Sequence, residues 1–393
     1  MKSEWNTIRA ADFIDFNPRV ILKKGTIATK VAMDKLKPFS KNIPETEKAE
    51  FNGGAKFCNG DTVMARITPC LENGKTAFVD ILDDGEVGFG STEFIVMRAR
   101  PGISDPQFVY YTAINPAFRN VAIQSMVGSS GRQRVQQSVL NEFELRVPDL
   151  DEQKHIGAFL ANLDEKITLN NNINDNLLEQ ALTLYATQFS SLELNGCIGD
   201  YCSVKSGFAF KSSWWTNCGV RVIKIGSINQ DNLNLLECSY VDEAKANKAK
   251  DFVVKAGDLL IAMTGATIGK FAMVPYSSEV LLVNQRVGKF FLGNNPVEKL
   301  PFIYCTLKQP EVYGEVVNRG QGSAQPNISA SDIMSIPCGI PNQDAINDFN
   351  DMSRPLFDLI ISNQRENWQL SELRNALLPK LMSGELDVSD IEL

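Results

Sequence analysis

Two long stretches of helical periodicity constrain this sequence more than any other feature. Residues Asp151–Phe189 place apolar side chains at steps of three, four and seven, as one face of a long helix requires. Residues Asn342–Leu381 repeat the pattern at an offset of 193 positions, and both stripes contain two asparagines in register. The stripe positions are Ile156, Leu163, Ile167, Asn170, Asn174, Leu177 and Leu184, then Phe349, Leu356, Ile360, Asn363, Asn367, Leu370 and Leu377. Two unrelated amphipathic helices are the alternative, but the matched polar pair favours an internal duplication whose helices pair with each other.

Composition narrows the class of protein. A chain of 393 residues with 44% hydrophobic content can form two or more domains. Its eight cysteines include no CxxC pair, and His155 is the one histidine, which argues against a zinc site and predicts neither metal nor cofactor. Scattered cysteines, no leader peptide and no apolar run of about 20 residues predict a cytoplasmic protein with reduced thiols and no membrane partner.

The net charge of −8 is unevenly distributed. Residues 1–148 carry +2 and residues 190–341 carry +1, whereas the helical stretches 149–189 and 342–393 carry −5 and −6. The acidic total therefore describes the helices, and the remaining segments can still present basic loops to nucleic acid.

Each segment before a long helix contains the same landmarks. A strand, loop and strand pattern at Gly60–Val79 recurs at Gly257–Val274, with Lys75 and Lys270 in matching positions. A loop rich in glycine and glutamine closes each segment and leads into a strand before the helix. The predicted domains are two similar recognition lobes, 1–148 and 190–341, a central helix, 149–189, and a C-terminal helix with its tail, 342–393. A two-copy repeat predicts a pseudo-twofold molecule with two similar recognition surfaces.

These features resemble the specificity subunit of type I restriction-modification systems. The resemblance rests on the order of lobes and helices, on a proline followed by Q-x-x-I at each helix start, and on the ending LLPKLMSGEL, Leu377–Leu386. It implies an α+β fold in which two target-recognition lobes of mixed β-sheet and short helices are joined by two long helices in an antiparallel coiled coil. One departure is Arg354-Pro355 in the second helix, where the first has Asn162. Proline removes a backbone donor, so we expect a kink or restart there.

The resemblance also implies a function without catalysis by this chain. Each lobe would read half of a bipartite double-stranded DNA target. The helices would act as a spacer, since about 35 helical residues span about 50 Å at 1.5 Å per residue. They would also dock two methyltransferase subunits, with restriction/translocase subunits joining the larger complex. Asparagines 170, 174, 363 and 367 would fix the register of the helix pair. The alternatives are a two-lobed protein–protein adaptor without DNA affinity and a self-contained DNA methyltransferase.

Three motifs suggest catalysis but fit structural roles better. Asn115-Pro116-Ala117-Phe118 lacks the second proline of the amino-methyltransferase motif, and no glycine-rich cofactor turn follows a strand in the first lobe. Asp149 and Glu152 are too close in sequence to lie on the two strands of a metal-dependent nuclease site, and they suit a helix start. The stretch Gly265–Lys270 is one residue short of a phosphate-binding loop.

Candidate DNA contacts are cations for phosphates and forked donors or amides for base edges. The closing loops contain most of them, and Asn284–Arg286 forms a further polar cluster whose counterpart, Ser91–Glu93, is chemically different. Trp214 and Trp215 suit base stacking, although a tryptophan pair more often lies in a core. The predicted contacts are Lys75, Arg132, Gln133, Arg134 and Gln136 in the first lobe, and Lys270, Asn284, Gln285, Arg286, Arg319, Gln321 and Gln325 in the second, where Asn327 is also a candidate.

Overall fold

The chain forms two compact units. The computed structural model describes residues 5–129, 131–189, 192–321, 326–388 and 391. Unit 1 comprises residues 1–168 and 371–393, and unit 2 comprises residues 169–370. Each unit therefore combines one lobe with parts of both long helices, whereas the predicted domains follow sequence order.

Within residues 5–129 and 131–148, the first lobe contains two four-stranded sheets and one additional strand pair. Its strands are β1 (Asn6–Arg9), β2 (Ile14–Phe16), β3 (Ile27–Val31), β4 (Glu47–Glu50), β5 (Ala55–Phe57), β6 (Thr62–Ala65), β7 (Thr76–Phe78), β8 (Gly88–Gly90), β9 (Phe94–Ala99) and β10 (Glu144–Val147). Its helices are α1 (Ala10–Phe13), α2 (Pro106–Ile114), α3 (Pro116–Gln124) and α4 (Gln137–Asn141). The long helix α5 (Leu150–Phe189) follows directly after β10.

The second lobe has the same kinds of elements and several more. Its strands are β11 (Gly196–Cys197), β12 (Ser203–Ser206), β13 (Trp215–Thr216), β14 (Val220–Ile223), β15 (Ile228–Asn229), β16 (Asn232–Leu233), β17 (Ser239–Val241), β18 (Val253–Val254), β19 (Leu259–Ala262), β20 (Phe271–Met273), β21 (Leu281–Val283), β22 (Val287–Phe291) and β23 (Pro337–Cys338). Its helices are α6 (Ile198–Tyr201), α7 (Glu243–Ala246), α8 (Leu300–Leu307), α9 (Pro310–Gln321) and α10 (Ala330–Met334), followed by the second long helix, α11 (Gln343–Ser383).

The two lobes share one connectivity. The order β2-β9-β6-β7 recurs as β12-β22-β19-β20, and β4-β3-β8-β5 recurs as β17-β14-β21-β18, with β13 added at the β17 edge. In each of the latter sheets one neighbouring pair is parallel, β3 with β8 and β14 with β21. A mixed strand order that occurs twice in one chain indicates duplication, so the predicted internal repeat and α+β fold are confirmed.

The Gly-Asp landmarks have a structural role in this repeat. Gly60 and Gly257 adopt left-handed φ values of 87° and 80° immediately before fully buried strands. The aspartate that follows is buried in both copies. The Arg98 guanidinium donates two hydrogen bonds of 2.6 Å to Asp61, and Asp258 accepts a 2.5 Å hydrogen bond from Lys289 Nζ. Each turn therefore places a charge at the start of a buried strand, where a basic partner neutralises it.

The long helices begin and end close to their predicted bounds, and α11 is continuous through Pro355. The expected restart at Arg354-Pro355 is therefore wrong. Pro355 and Asp351, whose carbonyl loses its helical donor, are both exposed, so water can satisfy that carbonyl. Among the described residues, no helix is long and apolar enough to cross a membrane, and no three His, Cys, Asp or Glu side chains are grouped to hold a metal ion.

Candidate nucleic-acid interface

The closing loop of the first lobe lies against the connection between β6 and β7. Arg134 forms backbone bridges with Val127 and with Ile67 in that connection. Thr68 N donates to the Gln133 carbonyl at 3.0 Å, and Val135 N donates to the Arg66 carbonyl at 2.8 Å. These bonds hold the loop at one edge of the sheet.

The turn between β8 and β9 joins the same cluster. Arg66 N donates to the Glu93 carbonyl at 2.9 Å. The Arg134 guanidinium donates to the Glu93 carboxylate, through Nε at 2.9 Å and Nη2 at 2.6 Å, and this bond lowers the pKa of Glu93. Nη1 of Arg134 has no partner among the described residues and stays available to a ligand. Glu93 therefore orients the arginine while leaving part of its donor set unused.

The second lobe builds the same backbone frame with different side chains. Met263 N donates to the Arg286 carbonyl at 3.0 Å, and Ile328 N donates to the Met263 carbonyl at 2.9 Å. Asn327 bridges to Thr264 in the β19–β20 connection. By matching bonds, Arg286 occupies the position of Glu93 in the first lobe, and Asn327 that of Arg134. One lobe therefore presents an acid–base pair where the other presents an arginine and an amide.

The remaining first-lobe candidates differ in how much of each side chain is exposed and free to contact DNA. Arg132 is exposed, and its side chain has no partner among the described residues. Gln136 is exposed at the N-cap of α4, and Gln133 is half-buried. The Lys75 ammonium donates to the Met33 carbonyl at 2.8 Å, so part of its donor capacity is used inside the lobe.

The second-lobe candidates also separate into exposed and internally bonded side chains. Gln285 and Arg286 are exposed, whereas Asn284 is buried and its Oδ1 accepts from Arg286 N at 3.4 Å. Arg319 donates to the Asp332 carbonyl and to Ser335 Oγ, and so holds the C-terminal end of α10. Of the other second-lobe candidates, Lys270 is half-buried and Asn327 is exposed. The predictions for the Gln321 and Gln325 side chains lie outside the part of the chain that the structure describes.

The asparagines of the long helices contact each other within unit 2. Asn170 is almost fully buried, and its Nδ2 donates to Asn367 Oδ1 at 2.9 Å. Asn363 Nδ2 donates to Asn174 Oδ1 at 2.8 Å. As the residue number rises along α5, its partner number falls along α11, so these helix segments are antiparallel. Asn171 Oδ1 accepts a further hydrogen bond from Asn367 at 2.9 Å.

Comparison with known proteins identifies the family. The sequence matches the type I restriction modification DNA specificity domain twice, over residues 2–179 and 194–351. The chain belongs to this family. The prediction of a type I restriction enzyme specificity subunit with two DNA-recognition domains is therefore confirmed.

Individual relatives of this specificity subunit are distant. The MjaVIII specificity subunit of Methanocaldococcus jannaschii is 20% identical over 99% of this chain and 94% of its own length. The MjaIX specificity subunit of the same organism is 24% identical over 68% of this chain and 66% of its own length. Among solved structures, the type I restriction-modification S subunit from M. genitalium matches with a TM-score of 0.49 at 17% identity, covering 96% of both chains.

The motifs that suggested catalysis have structural roles in this specificity subunit. Asn115 Oδ1 accepts from Ala117 N at 3.2 Å and caps α3, and Phe118 is buried. Asp149 Oδ1 accepts from the backbone N–H groups of Asp151 and Glu152, as expected at a helix start. Gly269 has a φ of 82° and lies against α9.

Sequence reasoning missed the link between Glu93 and Arg134. The sequence identifies Glu93 only as the counterpart of Arg286, because the two partners of the ion pair are 41 positions apart. The available signal was the matched position of Ser91–Glu93 and Asn284–Arg286 before a buried strand, but spacing alone does not show that the closing loop packs against them.

Proposed function

We propose that the two lobes read two different halves of a bipartite duplex DNA target through their loop clusters. The observation that carries this proposal is a backbone frame that the two lobes share, with different side chains at matching positions. These are Glu93 and Arg134 in one lobe, and Arg286 and Asn327 in the other. An arginine fork suits guanine O6 and N7, and an asparagine amide suits adenine N6 and N7. A shared frame with different donors provides two specificities from one fold.

Arg132 and Arg286 are the side chains best placed to contact DNA first. Both are exposed, and neither side chain has a partner among the described residues. Arg134 can contribute its Nη1 group while Glu93 holds the rest of the guanidinium. Glu93 also repels phosphate, which favours an approach of this edge to bases over the backbone.

Selection of methylated targets from a randomised DNA library tests the two-specificity proposal. The full chain is used with the methyltransferase subunits that we propose as its partners. Arg286→Ala should relax the base preference in one half-site only, and Arg132→Ala should relax the other. Each variant is the control for the other, because each leaves one lobe untouched. Equal relaxation of both halves by either variant would contradict separate recognition.

We further propose that the chain itself is non-catalytic and that the long helices dock the methyltransferase subunits. On α11, Met352 and Leu359 are 57% and 45% exposed, with the exposed Pro355 between them. Residues at steps of three and four share a helix face, so these three form one apolar stripe open to solvent. The acidic charge of both helices adds an electrostatic preference for a partner with basic side chains.

Native mass spectrometry of the reconstituted complex tests this docking surface. Met352→Glu with Leu359→Glu should lower the number of methyltransferase copies bound from two to one. Gln343→Glu with Asn347→Glu is the matched control, because it adds the same charge at exposed positions on the opposite side of α11. Unchanged occupancy in the first variant would exclude the stripe. Absence of a complex with the unmodified chain would instead favour the adaptor function without a methyltransferase.

A further inference from the structure

A cluster of lysines surrounds one tryptophan of the second lobe. The ammonium groups of Lys211, Lys245 and Lys248 lie 5.8, 5.8 and 5.4 Å from the centroid of the Trp214 ring. Beside it, Lys224 Nζ lies 4.8 Å from the Trp215 ring. We call the first three lysines and Trp214 the lysine–tryptophan cluster.

The indole in this cluster is held by aromatic packing. Phe208 stacks on Trp214 with centroids 6.2 Å apart and an interplanar angle of 19°. Phe210 meets the same ring edge-on at 6.5 Å. Trp214 remains half-buried, while Lys211 and Lys248 are exposed. The ring is therefore fixed by packing, and the lysine ammonium groups lie around it on the solvent side.

Within the described part of the chain, one of the three lysines in the cluster forms an ion pair. Asp242 lies 3.6 Å from Lys245 Nζ. Among the described residues, Lys211 and Lys248 have no carboxylate within ion-pair distance. Three cations within 6 Å of one centroid are at most about 12 Å apart, close to one Debye length, so they repel each other. An exposed cation–π contact offsets only about 0.5–1 kcal/mol per lysine. An anion bound between the ammonium groups would reduce the repulsion that remains.

The cluster belongs to elements that the first lobe lacks. Residues 242–252 connect β17 to β18 and contain α7, whereas residues 51–54 make the corresponding connection in the first lobe. Strand β13, next to Trp214, also has no counterpart in the described part of the first lobe. Lys245 and Lys248 therefore arise from an addition specific to the second lobe.

The cluster adjoins the polar turn that contains Arg286. The Phe208 carbonyl accepts from Gln285 N at 2.9 Å, and Phe208 N donates to the Val283 carbonyl at 2.8 Å. The residue that stacks on Trp214 is thus hydrogen-bonded to the turn that presents Gln285 and Arg286. DNA whose bases reach that turn would bring its backbone near the lysines.

We infer that Lys211, Lys245 and Lys248 bind phosphate groups of the DNA backbone at the half-site read by the second lobe. This inference rests on the proposed DNA-reading function and adds a sequence-independent anchor to it. The first lobe lacks the elements that carry the cluster, so the anchor makes the two half-sites unequal in affinity. Lysine suits this role as a flexible point charge, whereas base reading uses forked donors.

Fluorescence anisotropy of the full chain with its methyltransferase partner and labelled duplex DNA, over a range of salt concentrations, tests the inference. Each lost phosphate contact should reduce the slope of log affinity against log salt by about 0.9. Changing all three lysines to glutamine should thus lower the slope by roughly 2–3 and weaken binding roughly 100-fold at physiological salt. The loss should be equal for target and scrambled duplexes, because phosphate carries no sequence information.

A matched control and a stability measurement keep the outcomes distinct. Lys23, Lys24 and Lys299 are exposed and lie outside the cluster, so changing them to glutamine removes the same charge. A slope that falls equally in both triple variants overturns the inference in favour of a net-charge effect. An unchanged slope, whether or not the melting temperature falls, shows that the lysines do not contact phosphate and also overturns the inference. If the unmodified chain with its methyltransferase partner binds no duplex DNA, the proposed function itself fails.

Discussion

Replacing Arg374 with alanine should destabilise unit 1 much more than replacing Arg374 and its partner Asp164 together. Both side chains are buried, 8% and 5% exposed, and the guanidinium donates to the Asp164 carboxylate. Tyr111 Oη donates to the same carboxylate at 2.7 Å. Burial and the nearby Asp164 charge raise the pKa of Tyr111, so it remains a neutral donor. The positions 193 residues away in unit 2 hold Phe357 and Ala181, both fully buried.

The expected loss of unfolding free energy depends on which charges and hydrogen-bonding groups remain buried without a partner in each variant. Removing one partner of a buried ion pair leaves an uncompensated charge and costs about 3–5 kcal/mol. Replacing both partners with packed apolar groups is often neutral or stabilising, so Asp164→Phe with Arg374→Ala should recover most of that loss. The Tyr111 hydroxyl then lacks its acceptor, which costs about 1–3 kcal/mol. Adding Tyr111→Phe should remove that cost, and the remaining penalty is the loss of the Asp164 charge beside the buried Lys41 ammonium.

Hydrogen exchange measured by mass spectrometry isolates the effect. Amides of α5 between residues 157 and 167 report unit 1, and those between 174 and 186 serve as the internal reference in unit 2. Protection of the first set should fall by about 100-fold or more in Arg374→Ala, since each 1.4 kcal/mol is a factor of ten. If the double variant loses as much protection as the single one, the loss comes from packing, and the argument from buried charge is refuted.

Two further predictions concern the helix pair and the first lobe. Leucine at both Asn170 and Asn363 should make the spacing between the methylated half-sites non-uniform, because apolar seams tolerate several registers; uniform spacing in target selection would exclude a register role. Burial would raise the pKa of Glu86, but hydrogen bonds from Lys48, Thr29 and a backbone N–H lower it to about 2. Because this lies below the unfolded value of 4.5, its stabilising effect is present above about pH 4.5 and is lost as the pH falls toward 2. The free energy of unfolding of Glu86→Gln should therefore fall less than that of the unmodified chain between pH 4.5 and 2. An identical pH dependence in the two proteins would contradict this role of Glu86.

The long helices were predictable from sequence because their periodicity is local. A 3.6-residue period extends over about 40 residues in each helix, and the repeat at an offset of 193 supports both assignments. The helix restart expected at Pro355 was wrong because it depends on which side of α11 the proline occupies. The sequence contains the proline but does not show that its side of the helix faces water.

The candidate interface was only partly predictable because its geometry depends on distant pairs. Residue type selects Arg132 and Arg286 as candidate DNA contacts, and both side chains are exposed. It does not show that Lys75 donates to the Met33 carbonyl, 42 positions away, or that Arg319 holds the end of α10. The tryptophan pair shows the same limit. Trp214 packs on an aromatic cluster, as a core residue does, and yet forms the centre of a lysine cluster.

Comparison of the duplicated helix interfaces shows which differences specify the intrachain pairing. The asparagine positions are the same in both copies, so pairing two α5 helices from different chains would still align Asn170 with Asn174. Such pairing would place Asp164 opposite Ala181, and pairing two α11 helices would place Arg374 opposite Phe357. Each arrangement buries a charge without a partner, at a cost of several kcal/mol. The ion pair thus contributes little net stability beside an apolar pair, but it penalises association of two identical halves. Divergence at these two positions therefore makes the duplicated helices prefer each other.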